Sequence, residues 1–132
     1  MDDSYRKIQY REGELENLLK FRNKFVHLLE PYIQDSKNMS KGKMLGTIFD
    51  TIFYIGICNM RAYFPSVKEI YLSVEEIRNT TLRQLDFLEE HKIITRIQDQ
   101  TDSRIKRVKL TEMFQNDFEQ FMETSIDTRI KH

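Results

Sequence analysis

Cysteine, glycine and proline are scarce in this sequence, and each scarcity limits the structures the chain can form. Cys58 is the one cysteine among 132 residues, so no disulfide can form within the chain. Its apolar neighbours predict that it is a small buried hydrophobe. Four glycines and two prolines leave few helix breakers, which permits long helices. The length is typical of one domain that can bury a core without cross-links.

Long apolar segments and a signal sequence are also missing. The longest apolar run, TIFYIGIC at residues 51–58, is too short to span a bilayer. The first residues, MDDSYRK, are acidic and lack the apolar core of a signal peptide. The sequence therefore predicts a cytoplasmic protein with no membrane partner.

Patterns that support catalysis or metal binding are absent from the sequence. His27, His91 and His132 are far apart and lack metal-ligand spacing. The adjacent acidic pairs at 75–76 and 89–90 diverge on a helix, so neither forms an acid–base couple. There is no glycine-rich phosphate loop, nucleophile elbow or Cys/His dyad. The sequence predicts no catalytic residues, no metal site and no cofactor, and thus not an enzyme.

Net charge is absent as well, but the charge is unevenly distributed. Lys and Arg number 21, as do Asp and Glu, and this balance counts mildly against a nucleic-acid binder. The segment from Lys92 to Lys109, however, contains six basic and two acidic residues, which gives it a local charge of +4. A local basic surface attracts a polyanion even when the whole chain is neutral.

Two long helices are predicted in the first half of the chain. Over residues 5–33, a mostly apolar set of side chains recurs at steps of three and four residues, which is the spacing of one helix face. The set is Leu15, Leu18, Leu19, Arg22, Phe25, Val26, Leu29 and Ile33. Phe21, Leu28 and Tyr32 lie off this stripe, which fits either two-sided packing or a dimer interface. After a polar break at 35–43, residues 43–63 are apolar nearly all round. Their composition would also fit a strand, but their length favours a buried helix.

Two short helices follow in the layout of a helix-turn-helix. Ser66 and Glu69 form an S-x-x-E capping box, which starts a helix that buries Val67, Ile70, Tyr71 and Val74. After the polar stretch EEIRN, Asn79 or Thr80 is predicted to cap a second helix over 80–91. Its predicted inward residues are Leu82, Leu85 and Leu88, and its predicted outward residues are Thr80, Thr81, Arg83, Gln84 and Phe87.

A β-hairpin and a last helix complete the pattern. Residues 93–98 and 104–110 are β-rich runs around a polar tip, with Val108 and Leu110 on one face and Arg107 and Lys109 on the other. Thr111 is predicted to cap the last helix. That helix carries a stripe made of Phe114, Phe118, Phe121, Met122 and Ile126.

This order resembles the MarR family of winged-helix transcription regulators over about residues 66–115. The resemblance rests on the helix-turn-helix, then LDFLEEHKIITR, then Asp99, Asp102 and Arg104 at the spacing of the family's wing signature, then VKLT. It implies a mainly helical fold with a small β-hairpin, the wing. It also implies one domain over 1–132, with dimerisation helices at 5–35 and 111–130 and a winged helix-turn-helix core at 43–110.

The sequence departs from the family's pattern at three places. Lys92 stands where the family often has Gly after the recognition helix, and the turn EEIRN lacks the usual Gly. The wing tip has Thr101 and Ser103 in place of Pro and a second Arg. The first two changes affect turn geometry, and the third reduces the positive charge of the wing and predicts a modest affinity for DNA.

The resemblance implies a homodimeric regulator that binds double-stranded DNA at a pseudo-palindromic site. The candidate DNA contacts of the recognition helix are Arg78, Asn79, Thr80, Thr81, Arg83 and Gln84. Arg78, at the start of the helix, is assigned to the DNA backbone, and the two threonines to a phosphate or a thymine methyl. Arg83 has the geometry to read guanine, and Gln84 or Asn79 the geometry to read adenine.

The resemblance assigns the wing to the DNA backbone and minor groove. It places Arg104 at the minor groove and has Asp102 brace it, while Lys106 and Arg107 follow the phosphates. It also implies a small-molecule effector, with no residues assigned to its pocket. The alternative is a winged-helix protein–protein interaction module without DNA binding, which zero net charge and an acidic turn would suit.

Overall fold

The described part of the chain contains five helices and one two-stranded sheet. The computed structural model describes residues 3–33 and 41–130, with side chains described over 12–33 and 48–125. The elements are α1 (Asp3–Leu29), α2 (Lys41–Met60), α3 (Val67–Ser73), α4 (Arg78–Glu90), β1 (Ile94–Gln98), β2 (Lys106–Leu110) and α5 (Glu112–Ile130). The predicted fold class, mainly helical with a small β-hairpin, is confirmed. Residues 35–40, which make up most of the predicted polar break, lie outside the described residues.

Helix α1 buries a different face from the one its apolar spacing predicts. Leu15, Leu18 and Leu19 belong to the predicted stripe, yet 57–64% of each is exposed. The buried face begins at Phe21, whose ring packs against aromatic rings of α2 and α5, and continues through Phe25. The predicted stripe is therefore wrong over its first half. The aromatic rings of α2 and α5 pack against the side of α1 that carries Phe21, and not against the side that carries these leucines.

Helix α2 supplies the centre of the core, as predicted. Ile48, Ile52 and Ile55 have no exposed surface, and Cys58 is buried. Burial stops at the last turn, where Met60 is 60% exposed. The segment is thus a helix and not a strand, as predicted. The expected burial on all sides is wrong at the C-terminal end of α2.

The crossing of α2 and α5 depends on a glycine. A Cβ atom built on Gly56 would lie 2.7 Å from Cε1 of Phe118, closer than real Cβ contacts come. Phe118 is buried with Phe114 on α5, which confirms that part of the predicted stripe. The side chain of Ile126, the last member of that stripe, lies outside the described residues.

The two helices of the helix-turn-helix begin in different ways. At α3 the Glu69 amide donates to Ser66 Oγ and the Ser66 amide donates to the Glu69 carboxylate, so the predicted capping box is confirmed. Helix α4 begins at Arg78, after Ile77, with no side-chain cap. The prediction of a cap at Asn79 or Thr80 is wrong, because the helix starts early enough to place both residues in its first turn.

The turns on either side of α4 adopt left-handed backbone conformations. Glu75 has a φ of 56° and Lys92 a φ of 61°. Glycine adopts this region freely, whereas other residues pay a steric penalty at Cβ. Lys92 and Glu75 lie at the two positions named above, the end of the recognition helix and the turn EEIRN, where the MarR family usually has glycine and this sequence does not.

The wing is an antiparallel hairpin that a third short segment extends. Strand β1 pairs with β2 so that Arg96 lies opposite Val108, and Val108 and Leu110 point into the core as predicted. On the other edge of β2, the Val108 amide donates to the Pro65 carbonyl at 2.9 Å. Beyond the hairpin, Thr111 accepts from the Phe114 amide, which confirms its predicted cap on α5.

No helix in the described ranges combines the length and the apolar character needed to cross a membrane.

Candidate nucleic-acid interface

A basic cleft lies between α3, α4 and the wing. Its volume is about 540 Å³. The basic residues in its lining are Lys68, Arg78, Arg96, Arg104, Lys106 and Arg107. Glu69 is the acidic residue in the same lining. The cleft therefore presents a concentrated positive charge on a chain whose net charge is zero.

Helix α4 contributes Arg78 and Leu82 to the lining of this cleft and carries further exposed polar residues beside them. Arg78, Asn79 and Arg83 are exposed, and Thr80 is half-buried. These four predicted site residues therefore lie on the accessible side of the helix. Guanidinium and amide groups on such a helix can donate to base edges or to phosphates.

Two residues predicted to face outward from α4 are buried instead. Thr81 has no exposed surface and Gln84 is 4% exposed. The Thr51 hydroxyl on α2 donates to the Gln84 carbonyl oxygen at 2.7 Å. The prediction that Thr81 and Gln84 face away from the core is wrong, because both lie on the buried side of α4 with Leu85 and Leu88, where the bond from Thr51 satisfies the Gln84 carbonyl.

The wing tip holds Arg104 in a fork with Asp102. Arg104 Nε and Nη2 donate to the two carboxylate oxygens of Asp102, each at 3.0 Å, and its backbone amide donates to the same carboxylate. These bonds from Arg104 lower the pKa of Asp102 below its usual value. The Arg104 side chain remains 89% exposed. The predicted bracing of Arg104 by Asp102 is confirmed, and the guanidinium stays accessible to a ligand.

Asp99 organises the turn of the wing. Its Oδ2 accepts from the amides of Thr101 and Asp102 and from the Thr101 hydroxyl, at 2.7–3.0 Å. Its Oδ1 accepts from Arg107 Nε at 2.6 Å. The bond from Arg107, followed by those of the turn, holds the pKa of Asp99 well below its ordinary range.

The rest of the Arg107 guanidinium reaches across to the start of α3. Nη1 donates to the Phe64 carbonyl at 3.0 Å and to the Tyr63 hydroxyl at 3.2 Å, and lies 3.5 Å from a Glu69 oxygen. Partial burial acts to raise the pKa of Glu69, but hydrogen bonds from Tyr63 and Ser66, with the charge of Arg107, outweigh it and lower that pKa. Arg107 was predicted to face phosphates, whereas the structure places its guanidinium among protein groups.

Sequence reasoning missed two basic residues of the cleft, Lys68 and Arg96. Arg96 Nη2 pairs with Asp86 of α4 at 2.5 Å, and its Nε is buried with no hydrogen-bond partner in the described part of the chain. Arg96 is one of the six basic residues that give the segment from Lys92 to Lys109 its local charge of +4, and this excess of basic residues could have indicated Arg96 as part of the site. Lys68 lies on the exposed side of α3, and only the fold brings it to the cleft.

Over the residues that the structure describes, no group of three histidine, cysteine, aspartate or glutamate side chains is placed to hold a metal ion.

Solved structures share this fold over nearly the whole chain. MepR of Staphylococcus aureus, described as a transcription regulator of a multidrug efflux pump and solved in complex with DNA, is 21% identical, with a TM-score of 0.62. The match covers 92% of this chain and 86% of MepR. FabT of Streptococcus pneumoniae, also solved with DNA, is 19% identical, with a TM-score of 0.58 over 97% of this chain and 82% of FabT.

A third similar structure was solved with a small molecule. PefR of Streptococcus agalactiae, a heme sensor protein in complex with heme, is 17% identical, with a TM-score of 0.51. The match covers 99% of this chain and 81% of PefR. Neither a protein-family model nor a curated protein matches the sequence. The three structures establish the fold of this chain as a MarR-like winged helix.

Proposed function

We propose that this chain is a DNA-binding transcription regulator that acts as a homodimer, and not an enzyme. The observation that supports this most directly is the basic cleft between α3, α4 and the wing, bordered by the exposed side of α4. Two proteins of the same fold were solved in complex with DNA. A regulator has to reach chromosomal DNA, so the predicted cytoplasmic location belongs to the proposal.

In this proposal α4 enters the major groove. Arg78, Asn79 and Arg83 are the exposed side chains that would contact base edges or phosphates, and Thr80 would contact the backbone. Thr81 and Gln84 are left out, because both are buried against the core. Sequence preference would therefore depend on Arg83 and Asn79 and not on Gln84.

The wing would lie at the backbone and minor groove. Arg104 is held by Asp102 and is still exposed, which suits insertion of a guanidinium beside a narrow groove. Lys106 is exposed at the start of β2 and would follow the phosphates. Contacts of this kind add affinity without reading sequence.

The proposed dimer uses the exposed leucines of α1. Leu15, Leu18 and Leu19 form an apolar surface on a helix that the monomer leaves uncovered. We assign residues 5–35 and 111–130 to dimerisation and residues 43–110 to the winged helix-turn-helix core of one domain. A two-fold dimer of this kind matches half-sites about one helical turn apart in a pseudo-palindrome.

A small-molecule effector completes the proposal, on the ground that a protein of the same fold was solved with heme. An effector would act by favouring one spacing of the two recognition helices over another. Its pocket is not assigned to particular residues.

The test is fluorescence anisotropy of the purified protein with a mixed pool of labelled duplexes, at low and at moderate salt. We expect binding that weakens steeply as salt rises, since phosphate contacts release counterions. Arg104→Ala should weaken binding to every duplex, while Arg61→Ala, which removes an exposed charge outside the lining of the cleft, should not. No binding at low salt by a folded, dimeric protein would overturn the proposal and favour a protein-interaction module.

A further inference from the structure

We propose that Arg107 positions the wing relative to the helix-turn-helix and does not bind phosphate itself. This inference rests on the proposed function and assigns a role within the same interface. It is drawn from a continuous set of hydrogen bonds that joins the wing tip to the first turn of α3.

The first part of this set of bonds lies inside the wing. Asp99 uses one carboxylate oxygen to hold the turn at Thr101 and Asp102, and the other to accept from Arg107 Nε. Since Asp102 in turn holds Arg104, the orientation of the exposed Arg104 guanidinium depends on Asp99. The carboxylate of Asp99 thus connects the turn to β2.

The second part crosses from β2 to the segment before α3. Arg107 Nη1 donates to the Phe64 carbonyl and the Tyr63 hydroxyl, and the Tyr63 hydroxyl donates to Glu69 at 2.6 Å. Glu69 is the acidic partner of the capping box that starts α3. The backbone of the same segment is bridged to β2, with Ser66 opposite Arg107. Wing and the start of α3 are therefore joined by this backbone bridge and, at the level of side chains, by the Arg107 guanidinium.

The surroundings of Arg107 differ from those of a phosphate ligand. Its side chain is 25% exposed, against 89% for Arg104. The guanidinium also lies 5.6 Å from the centre of the Tyr63 ring, within cation–π range. A phosphate would have to displace protein acceptors that are already in place, at a cost that exposed cations do not bear.

The sign of the effect of Asp99→Asn on DNA affinity separates the two roles. The substitution removes a negative charge from the wing, so an electrostatic role alone predicts tighter binding. If Asp99 and Arg107 position the wing, Asp99→Asn should weaken binding about tenfold, because a charge-assisted hydrogen bond and the ordered turn are lost together. Glu90→Gln, which neutralises an exposed acid at the end of α4, is the control and should leave binding unchanged or tighter.

Arg107→Lys gives a second test, because lysine keeps the charge but cannot reach Asp99 and Phe64 together. We expect a loss of about tenfold with an unchanged salt slope. Lys106→Gln should instead reduce that slope by about 1, as expected for a lost phosphate contact. The DNA affinity of the double variant Asp99→Asn/Arg107→Lys should lie within about threefold of that of the weaker single variant. The two losses should not add, because both substitutions break the same set of hydrogen bonds.

Amide hydrogen exchange at Thr101 and Asp102 supplies a readout that needs no DNA. Both amides donate to Asp99, so their exchange should become faster in Arg107→Lys and stay unchanged in Lys106→Gln. Unchanged exchange in Arg107→Lys, or unchanged or tighter DNA binding by Asp99→Asn, would overturn the inference. Failure of the wild-type protein to bind DNA would instead refute the proposed function, and the exchange result would still decide whether Arg107 anchors the wing.

Discussion

The Thr51 hydroxyl of α2 donates a 2.7 Å hydrogen bond to the side-chain carbonyl of Gln84 on α4, and both residues are buried. Gln84 shares its side of α4 with the buried Leu85 and Leu88. Burial of this side leaves Arg83, the neighbour of Gln84 in sequence, exposed. Packing of the buried side of α4 therefore decides which of its polar residues stay exposed.

The first prediction separates these two neighbours. Gln84→Ala should lower the free energy of unfolding by about 1–3 kcal/mol, since it leaves the Thr51 hydroxyl without its acceptor and opens a small cavity. Arg83→Ala should change the free energy of unfolding by less than about 0.5 kcal/mol. Urea denaturation measures both. Selection from random duplexes should show an altered preference for Arg83→Ala, and an equal change for Gln84→Ala would contradict the assignment.

The second prediction concerns the left-handed backbone at Lys92. Lys92→Gly should raise the free energy of unfolding by about 0.5–1 kcal/mol, because relief of the Cβ clash exceeds the added entropy of the unfolded chain. Lys92→Ala keeps the Cβ and removes the rest of the side chain. It should change stability by less than about 0.5 kcal/mol. Equal effects of the two substitutions in thermal unfolding would show that strain at φ 61° is not the cause.

The third prediction uses two glycines in helices. Gly56→Ala should lower the free energy of unfolding by about 1–3 kcal/mol, because the added methyl would lie 2.7 Å from Phe118. Gly13→Ala, where an added Cβ meets nothing within 4 Å, should raise it by about 0.5–1 kcal/mol. Calorimetry of the two variants would show shifts of opposite sign. A stabilised Gly56→Ala would mean that α2 and α5 are farther apart than described.

The fourth prediction tests the apolar face of α1. Leu18 is 57% exposed and is assigned to the dimer interface, so Leu18→Glu should shift the protein towards monomer. Leu72→Glu, at a residue of α3 with 61% exposure, is the matched control and should leave the dimer intact. Sedimentation velocity over a range of concentrations measures both. A Leu18→Glu protein that remained as dimeric as the wild type would remove α1 from the interface.

The fifth prediction is a pH dependence. Because the pKa of Asp99 in the folded chain lies well below its ordinary value of 3.8, its ionised form stabilises the fold above that pH. This contribution is lost as the pH falls below 3.8 towards the folded-state pKa. The difference in unfolding free energy between the wild type and Asp99→Asn should thus be constant from about pH 7 to 5 and shrink below about pH 4. A constant difference down to about pH 2.5 would contradict the ion pair with Arg107.

Local patterns in the sequence were sufficient for several features of the fold and the interface. The capping box of Ser66 and Glu69, the cap at Thr111 and the fork of Asp102 and Arg104 each join residues two or three positions apart. Their geometry follows from short-range hydrogen bonding, which depends little on the rest of the chain. The alternation of Val108 and Leu110 predicted the core face of the wing, because successive side chains of a strand point to opposite faces of the sheet.

Only the tertiary structure decided which face of a helix or strand packs against another element when several of its faces carry suitable residues. Helix α1 has apolar residues on more sides than the monomer covers, and the rings of α2 and α5 selected Phe21 over Leu18. Gln84 is as polar as its exposed neighbours, yet it is buried and accepts a hydrogen bond from Thr51 of α2. Arg107 looks like another cation of the wing, but its acceptors at Tyr63 and Phe64 are more than 40 residues away in sequence. Spacing along one element fixes which side chains share a face, whereas burial and pairing depend on the element packed against that face.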